Sequence, residues 1–310
     1  MRKIIGYLRE HIRQDFHLGL YVYAAVFLAI TITINYWIDF EVNFLDPYYG
    51  KPLGYLYYPL FYGFAYYAIV IPQQYFQKTT ETLRNPNFWI KSGVFLLLLG
   101  VGEASKIHYL ITDQFDKFWE ARYLRILLNK LKRFVIWLPV LWLLIRYYRD
   151  TDVGIYGLRW QRFDARPYLW MLLGMLPLII AASFLPDFLK TYPIYKFWKE
   201  MPVFGLSVEQ MFWVHELFYG ASFLTVELMF RGALVIGMTR ILGHQAILPM
   251  AATYAFLHFG KPAGETISSI FGGYILGVIS LRTQNLWGGC MVHIGIAWLM
   301  DIAAFLQLRG

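Results

Sequence analysis

LGLYVYAAVFLAITITINYW, residues 18–37, runs for 20 positions without a charged side chain. At about 1.5 Å of rise per residue a helix of roughly 20 residues spans the ~30 Å hydrocarbon core of a bilayer. Neither side of that helix is polar, so it has no face to offer water. The stretch therefore reads as a membrane-spanning helix, and the rest of the chain follows the same rule. Further apolar segments lie at 55–73, 90–104, 134–148, 168–186, 207–230, 246–259, 266–281 and 286–306. The reading is an all-α, polytopic transmembrane helical bundle with about 8–9 membrane helices, 90–104 and 246–259 being short enough to be tilted or half-inserted. Composition agrees: of 310 residues 58% are hydrophobic and only 15% charged, with mean hydropathy +0.44. Soluble domains carry about a quarter charged residues.

The net charge of +8 invites a nucleic-acid partner. The placement of the charges argues against one. Arg2, Lys3, Arg9 and Arg13 precede the first span, and Lys78, Arg84 and Lys91 follow the second. Arg146, Arg149, Arg159, Arg162 and Arg166 follow the fourth. Alternating spans put all three groups on one side, which the positive-inside rule makes cytoplasmic, along with the N-terminus. Loop 38–54, with Asp39, Glu41 and Asp46, falls outside. Segment 117–133 is basic yet falls on the same outer side; its amphipathic pattern suits an interfacial helix in contact with membrane lipid. Aromatic residues at segment ends, among them Trp37, Tyr48, Tyr49, Trp89, Trp160 and Trp198, suit the two interfacial belts. Polar residues interrupt any apolar core in the N-terminal MRKIIGYLREHIRQDFH, so it lacks a cleavable-signal pattern and the first span is expected to be a retained anchor. The single Cys290 forms no internal disulfide.

A polar, basic, glycine-containing break at 146–167 divides the chain. Residues 1–165 are expected to form N-terminal transmembrane helices with the interfacial segment. Residues 166–310 form a C-terminal core, and this half holds the polar residues that an apolar helix does not accommodate cheaply. They are His215, Glu216, Glu227 and Arg231 in one helix, His258 in another, and His293 and Asp301 in a third. Glu227 and Arg231 are four residues apart with the acid N-terminal, the favourable order for a helical ion pair. Glu216 lies eleven residues earlier, close to three turns and about 16 Å along the same face. The bland interpretation is a structural pair near one interface. Two histidines and a glutamate on separate helices can also activate water, or bind Zn²⁺ through Glu227, His258 and His293. Spacing alone leaves both readings open.

Residues 205–305 resemble the CPBP family of intramembrane proteases, which includes CAAX prenyl endopeptidases and bacterial Abi-type proteins. The family pattern is EExxxR, FxxxH and HxxxN or HxxxD, each on its own helix. VELMFR at 226–231 with Gly232, YAFLH at 254–258, and HIGIA at 293–297 after NLWGG match it in order and spacing. Two family positions differ: Val226 stands where the first glutamate activates water, and Ala297 where a polar residue helps hold the oxyanion. Tyr254 replaces a phenylalanine.

The resemblance implies a glutamate-type peptide hydrolase that requires no cofactor, with Glu227, Arg231, His258 and His293 as site residues. Glu227 would serve as base, His258 would position the water and His293 would donate to the oxyanion. Glu216, Tyr254 and Asp301 are possible accessories, although Asp301 lies two turns, about 12 Å, beyond His293 and cannot replace the residue missing at 297. The implied activity is cleavage of a membrane-associated peptide or protein by an integral protein of the bacterial inner (plasma) membrane. Two alternatives stand: an inactive pseudoprotease acting as a membrane binding scaffold, favoured by Val226 and Ala297, and a transporter with polar residues along its path. The lack of an inverted repeat speaks against the transporter.

Overall fold

The computed structural model describes residues 2–309 except 151, 153 and 160–162. Trp160 and Arg162, expected at an interface and a cytoplasmic flank, lie outside the described residues. The fold is all-α, and no strand occurs among the described residues. The principal helices are α1 (Arg2–Asp15), α2 (Leu18–Ile38), α3 (Gly54–Phe76), α4 (Pro86–Ala104), α5 (Phe118–Tyr148), α6 (Arg166–Ala182), α7 (Val208–Glu227), α8 (Ile247–Phe256), α9 (Ala263–Thr283) and α10 (Trp287–Arg309).

Most of each apolar segment of the sequence lies in helix. Helix α2 shows why the solvent is hydrocarbon. It buries Leu20, Ala24, Leu28, Ile32 and Asn35 on one side. On the other it exposes Val22, Val26, Ile30, Ile34 and Trp37. A helix with an apolar exposed stripe belongs in lipid. Five helical stretches among the described residues are long and apolar enough to cross a membrane, by length and composition: Leu18–Ile38, Pro86–Thr112, Val208–Phe256, Ala263–Thr283 and Trp287–Leu308. The chain is an integral membrane protein. The expected eight or nine spans are not all reproduced as separate helices of that kind. Val208–Phe256 counts as one stretch although it contains α7, α8 and the turns between them. Segments 117–133 and 134–148 join in the single 31-residue helix α5.

Helix ends follow local chemistry. The Asn85 side chain accepts the amide of Asn87 at 3.0 Å, with Pro86 opening α4 where its missing N–H costs nothing. Helix α2 stops at Asp39 and α9 at Gln284, both left-handed with φ of 48° and 50°. Past Glu227 the α-helical ladder widens: Leu228–Ile236 forms a π-helix, and the Gly237 amide reaches back five residues to the Gly232 carbonyl at 2.7 Å. π-Helical turns are rare and concentrate at functional sites.

The chain forms two compact units, with boundaries inside α5 and at the end of α7. The first comprises residues 1–105, 139–162 and 227–286. Here α3 packs on α4 and α8, α8 on α9, and α9 on the π-helical segment. Gly100 makes the α3–α4 approach possible, since a Cβ there would lie 2.2 Å from the Pro59 nitrogen. In the same unit, Asp150 pairs with Lys91 and with Arg240, the latter at 3.2 Å. The second unit comprises residues 106–138, 163–226 and 287–310, with α10 packed on α6. Its core gathers Tyr123, Leu127, Tyr195, Met211 and Phe212.

Candidate active site

The first unit holds Glu227, Arg231, Tyr254 and His258 in a connected series. Helical spacing makes the first link: Arg231 Nη1 lies 3.1 Å from Glu227 Oε1, with both residues 0% exposed. The guanidinium then covers the Tyr254 ring at 4.2 Å from its centre, an arrangement in which a cation meets the negative face of an aromatic ring. Phe230 packs edge-on to the same ring at 5.0 Å. Gly273 of α9 lets the tyrosine lie flat, since a Cβ there would stand 3.0 Å from Tyr254 Cδ1.

Tyr254 and His258 are again one turn apart, and their rings meet at 4.5 Å, nearly perpendicular. His258 Nδ1 lies 2.8 Å from the Tyr254 carbonyl oxygen. A carbonyl only accepts, so Nδ1 carries the hydrogen and Nε2 is the basic nitrogen of the neutral ring. The imidazole is half-buried, unlike the enclosed Glu227 and Arg231.

His293, Glu216 and Asp301 belong to the second unit. His293 is half-buried and packs against Phe223 at 4.3 Å. Glu216 faces a cluster that sequence spacing does not reveal. Its Oε1 lies 3.0 Å from His215 Nδ1, and its backbone carbonyl accepts the Trp298 indole N–H at 2.9 Å. The Asp301 carboxyl lies near enough to interact with it electrostatically. Asp301 in turn accepts the Ile194 amide through both oxygens, at 3.1 and 3.0 Å. His215 is fully buried, with Tyr195 stacked at 5.0 Å and Tyr219 at 5.7 Å. In this unit Glu216 is partnered by His215 and Asp301 by the Ile194 amide. Val226 and Ala297 are both buried and apolar.

Among the described residues no three His, Cys, Asp or Glu side chains stand at metal-binding spacing. Sequence reasoning also passed over Asn35, Tyr36 and Glu41, which meet the turn that follows His258. No motif marks them, because the contact joins segments more than 200 residues apart.

An all-α membrane protein with an ion pair on a π-helical turn and a tautomer-fixed histidine is the class that these observations define. Residues 210–299, under a third of the chain, match the family model described as type II CAAX prenyl endopeptidase Rce1-like. The match takes in all three motifs and supports the CPBP/CAAX protease family for this segment. Neither the curated proteins nor the solved structures give a match.

Proposed function

We propose that this protein is an intramembrane endopeptidase that hydrolyses an amide bond in a membrane-associated peptide or protein. The observation that carries the reading is the 2.8 Å bond from His258 Nδ1 to the Tyr254 carbonyl within a matched CAAX-protease segment. A ring held in one tautomer presents Nε2 as a general base. Glu227, enclosed and ion-paired with Arg231, is assigned to holding Arg231 and the π-helical turn.

In this mechanism water attacks the scissile carbonyl carbon while His258 Nε2 takes its proton. The tetrahedral oxyanion accepts a hydrogen bond, a role we assign to His293 from the third motif. The imidazolium returns its proton to the amide nitrogen as the C–N bond breaks, releasing a carboxylic acid and an amine. The mechanism calls on no metal or organic cofactor. The family description makes a prenylated C-terminal peptide the first substrate to test.

The basic residues flanking the early spans support a cytoplasmic N-terminus, and the Abi-type resemblance supports a bacterial inner membrane. A second reading, a pseudoprotease that binds a membrane partner without cutting it, is favoured by the buried apolar Val226 and Ala297.

The test is cleavage of a library of prenylated and transmembrane peptides by the purified chain in detergent. Loss of cleavage in both Glu227→Ala and His258→Ala supports the protease. Cleavage unchanged in both overturns the site. Binding without cleavage in the native chain, with cleavage gained in Val226→Glu/Ala297→Asn, supports the scaffold.

A further inference from the structure

The turn after α8 carries His258 at its start, and three of its four residues accept a bond from another segment. Such a turn leaves carbonyl groups without helical partners. The His258 carbonyl accepts the Thr266 hydroxyl from α9. The Phe259 carbonyl accepts the Asn35 side-chain amide from α2 at 3.0 Å. The Lys261 carbonyl accepts the Tyr36 hydroxyl at 2.6 Å, and Tyr36 Oη lies 2.6 Å from Thr266 Oγ1. Between them, Gly260 lies against the Glu41 carboxyl group: a Cβ at 260 would stand 2.8 Å from Glu41 Oε2. The Glu41 amide donates to Asn35 Oδ1 at 3.2 Å, so Asn35 bridges the two segments. Asn35 is 3% exposed, so water does not substitute for these bonds.

We propose that Asn35, Tyr36 and Glu41, from α2 and the turn that follows it, form a positioning clamp that fixes the second-motif histidine for catalysis. This gives part of the N-terminal region a task that the matched segment does not perform for itself. As a claim about catalysis it rests on the protease reading above.

The clamp is sensitive to alkali. The Glu41 carboxyl is pushed up to about 8, first by burial and then by the neighbouring Asp46 and Glu103, with Lys261 opposing. Tyr36 and Tyr58 are the other titratable groups facing it. Near pH 7 the group is neutral and rests on the Gly260 backbone without a buried charge. Above pH 8 it ionises beside Asp46 and Glu103, and their repulsion is expected to loosen the Glu41 side of the clamp.

The experiment is hydrogen–deuterium exchange of the full chain in detergent, following the amides of residues 257–261 between pH 7 and 9, corrected for intrinsic exchange. It is run beside cleavage kinetics on the peptide library. Protection in the native chain is expected to fall about tenfold on raising the pH, with no such fall in Glu41→Gln. Asn35→Ala and Tyr36→Phe are expected to lose about fivefold to tenfold protection already at pH 7. In both, kcat is expected to fall by a similar factor while KM stays within about twofold. Protection that is independent of pH and unchanged in Asn35→Ala overturns the clamp. Lost protection with native kcat overturns its catalytic role. A native chain that cleaves nothing, yet shows the pH-dependent loss of protection, overturns the protease reading and leaves the clamp as the determinant of the turn's order.

Discussion

Arg231 reaches two partners from one position: its Nη1 lies 3.1 Å from Glu227 Oε1, and its guanidinium covers the Tyr254 ring at 4.2 Å. All three side chains are buried. Removing the cation alone strands a carboxylate in an apolar interior. Arg231→Leu should cost about 3–5 kcal/mol, the loss found when one partner of a buried pair is deleted. Glu227→Leu/Arg231→Leu should recover most of it. Thermal unfolding in detergent checks this, and equal losses in the single and double variants would argue against the pair.

Glu216 and Asp301 carry an asymmetric expectation. Glu216→Gln keeps the side-chain shape and an oxygen acceptor for His215 Nδ1, so stability should change by less than about 1 kcal/mol. Asp301→Ala removes the acceptor of the Ile194 amide and should cost about 1–3 kcal/mol, because a buried N–H is then left without a partner. Comparing the unfolding midpoints of the two variants decides the matter.

Acid should weaken the N-terminal region through His11. This residue is fully buried in α1, and burial pulls its imidazole from the ordinary 6.5 down to about 4, partly offset by Asp15. The unfolded chain therefore binds a proton that the folded chain refuses. Stability is present above pH 6.5 and is lost as the pH falls from there to about 4. His11→Asn should flatten that part of the curve of unfolding midpoint against pH. An unchanged curve would place the acid sensitivity elsewhere.

Gly100 tests the packing of α3 on α4. Its Cβ position is occupied by Pro59, at 2.2 Å from the proline nitrogen and 2.4 Å from Cδ. Gly100→Ala should cost about 1–3 kcal/mol by overpacking, despite the better helix propensity of alanine. Gly174, which has nothing within 4 Å of its Cβ position, is the matched control and should tolerate alanine.

The parts of this molecule legible in the sequence are those set by short-range periodicity. Residues 18–37 announce a lipid-exposed helix because both faces of α2 are apolar. The Glu227–Arg231 pair and the Tyr254–His258 contact each follow from a spacing of four on a helix. The π-helical turn after Glu227 has no such signature, since the same letters suit an α-helix. Helix α5 hides a junction between an amphipathic and an apolar segment that separate readings treat as two elements. The approach of Glu216 to Asp301 and the clamp on residues 258–261 join distant segments. Only packing brings them together, and a single sequence carries no period that reports it.

The most direct measurement of the central claim is peptide hydrolysis by the purified chain against a prenylated and transmembrane peptide library, read by mass spectrometry. The account expects defined amide-bond cleavage in the native protein, reduced by at least about a hundredfold in His258→Ala, the lower range for a lost general base. Cleavage that persists at the native rate in His258→Ala would contradict it.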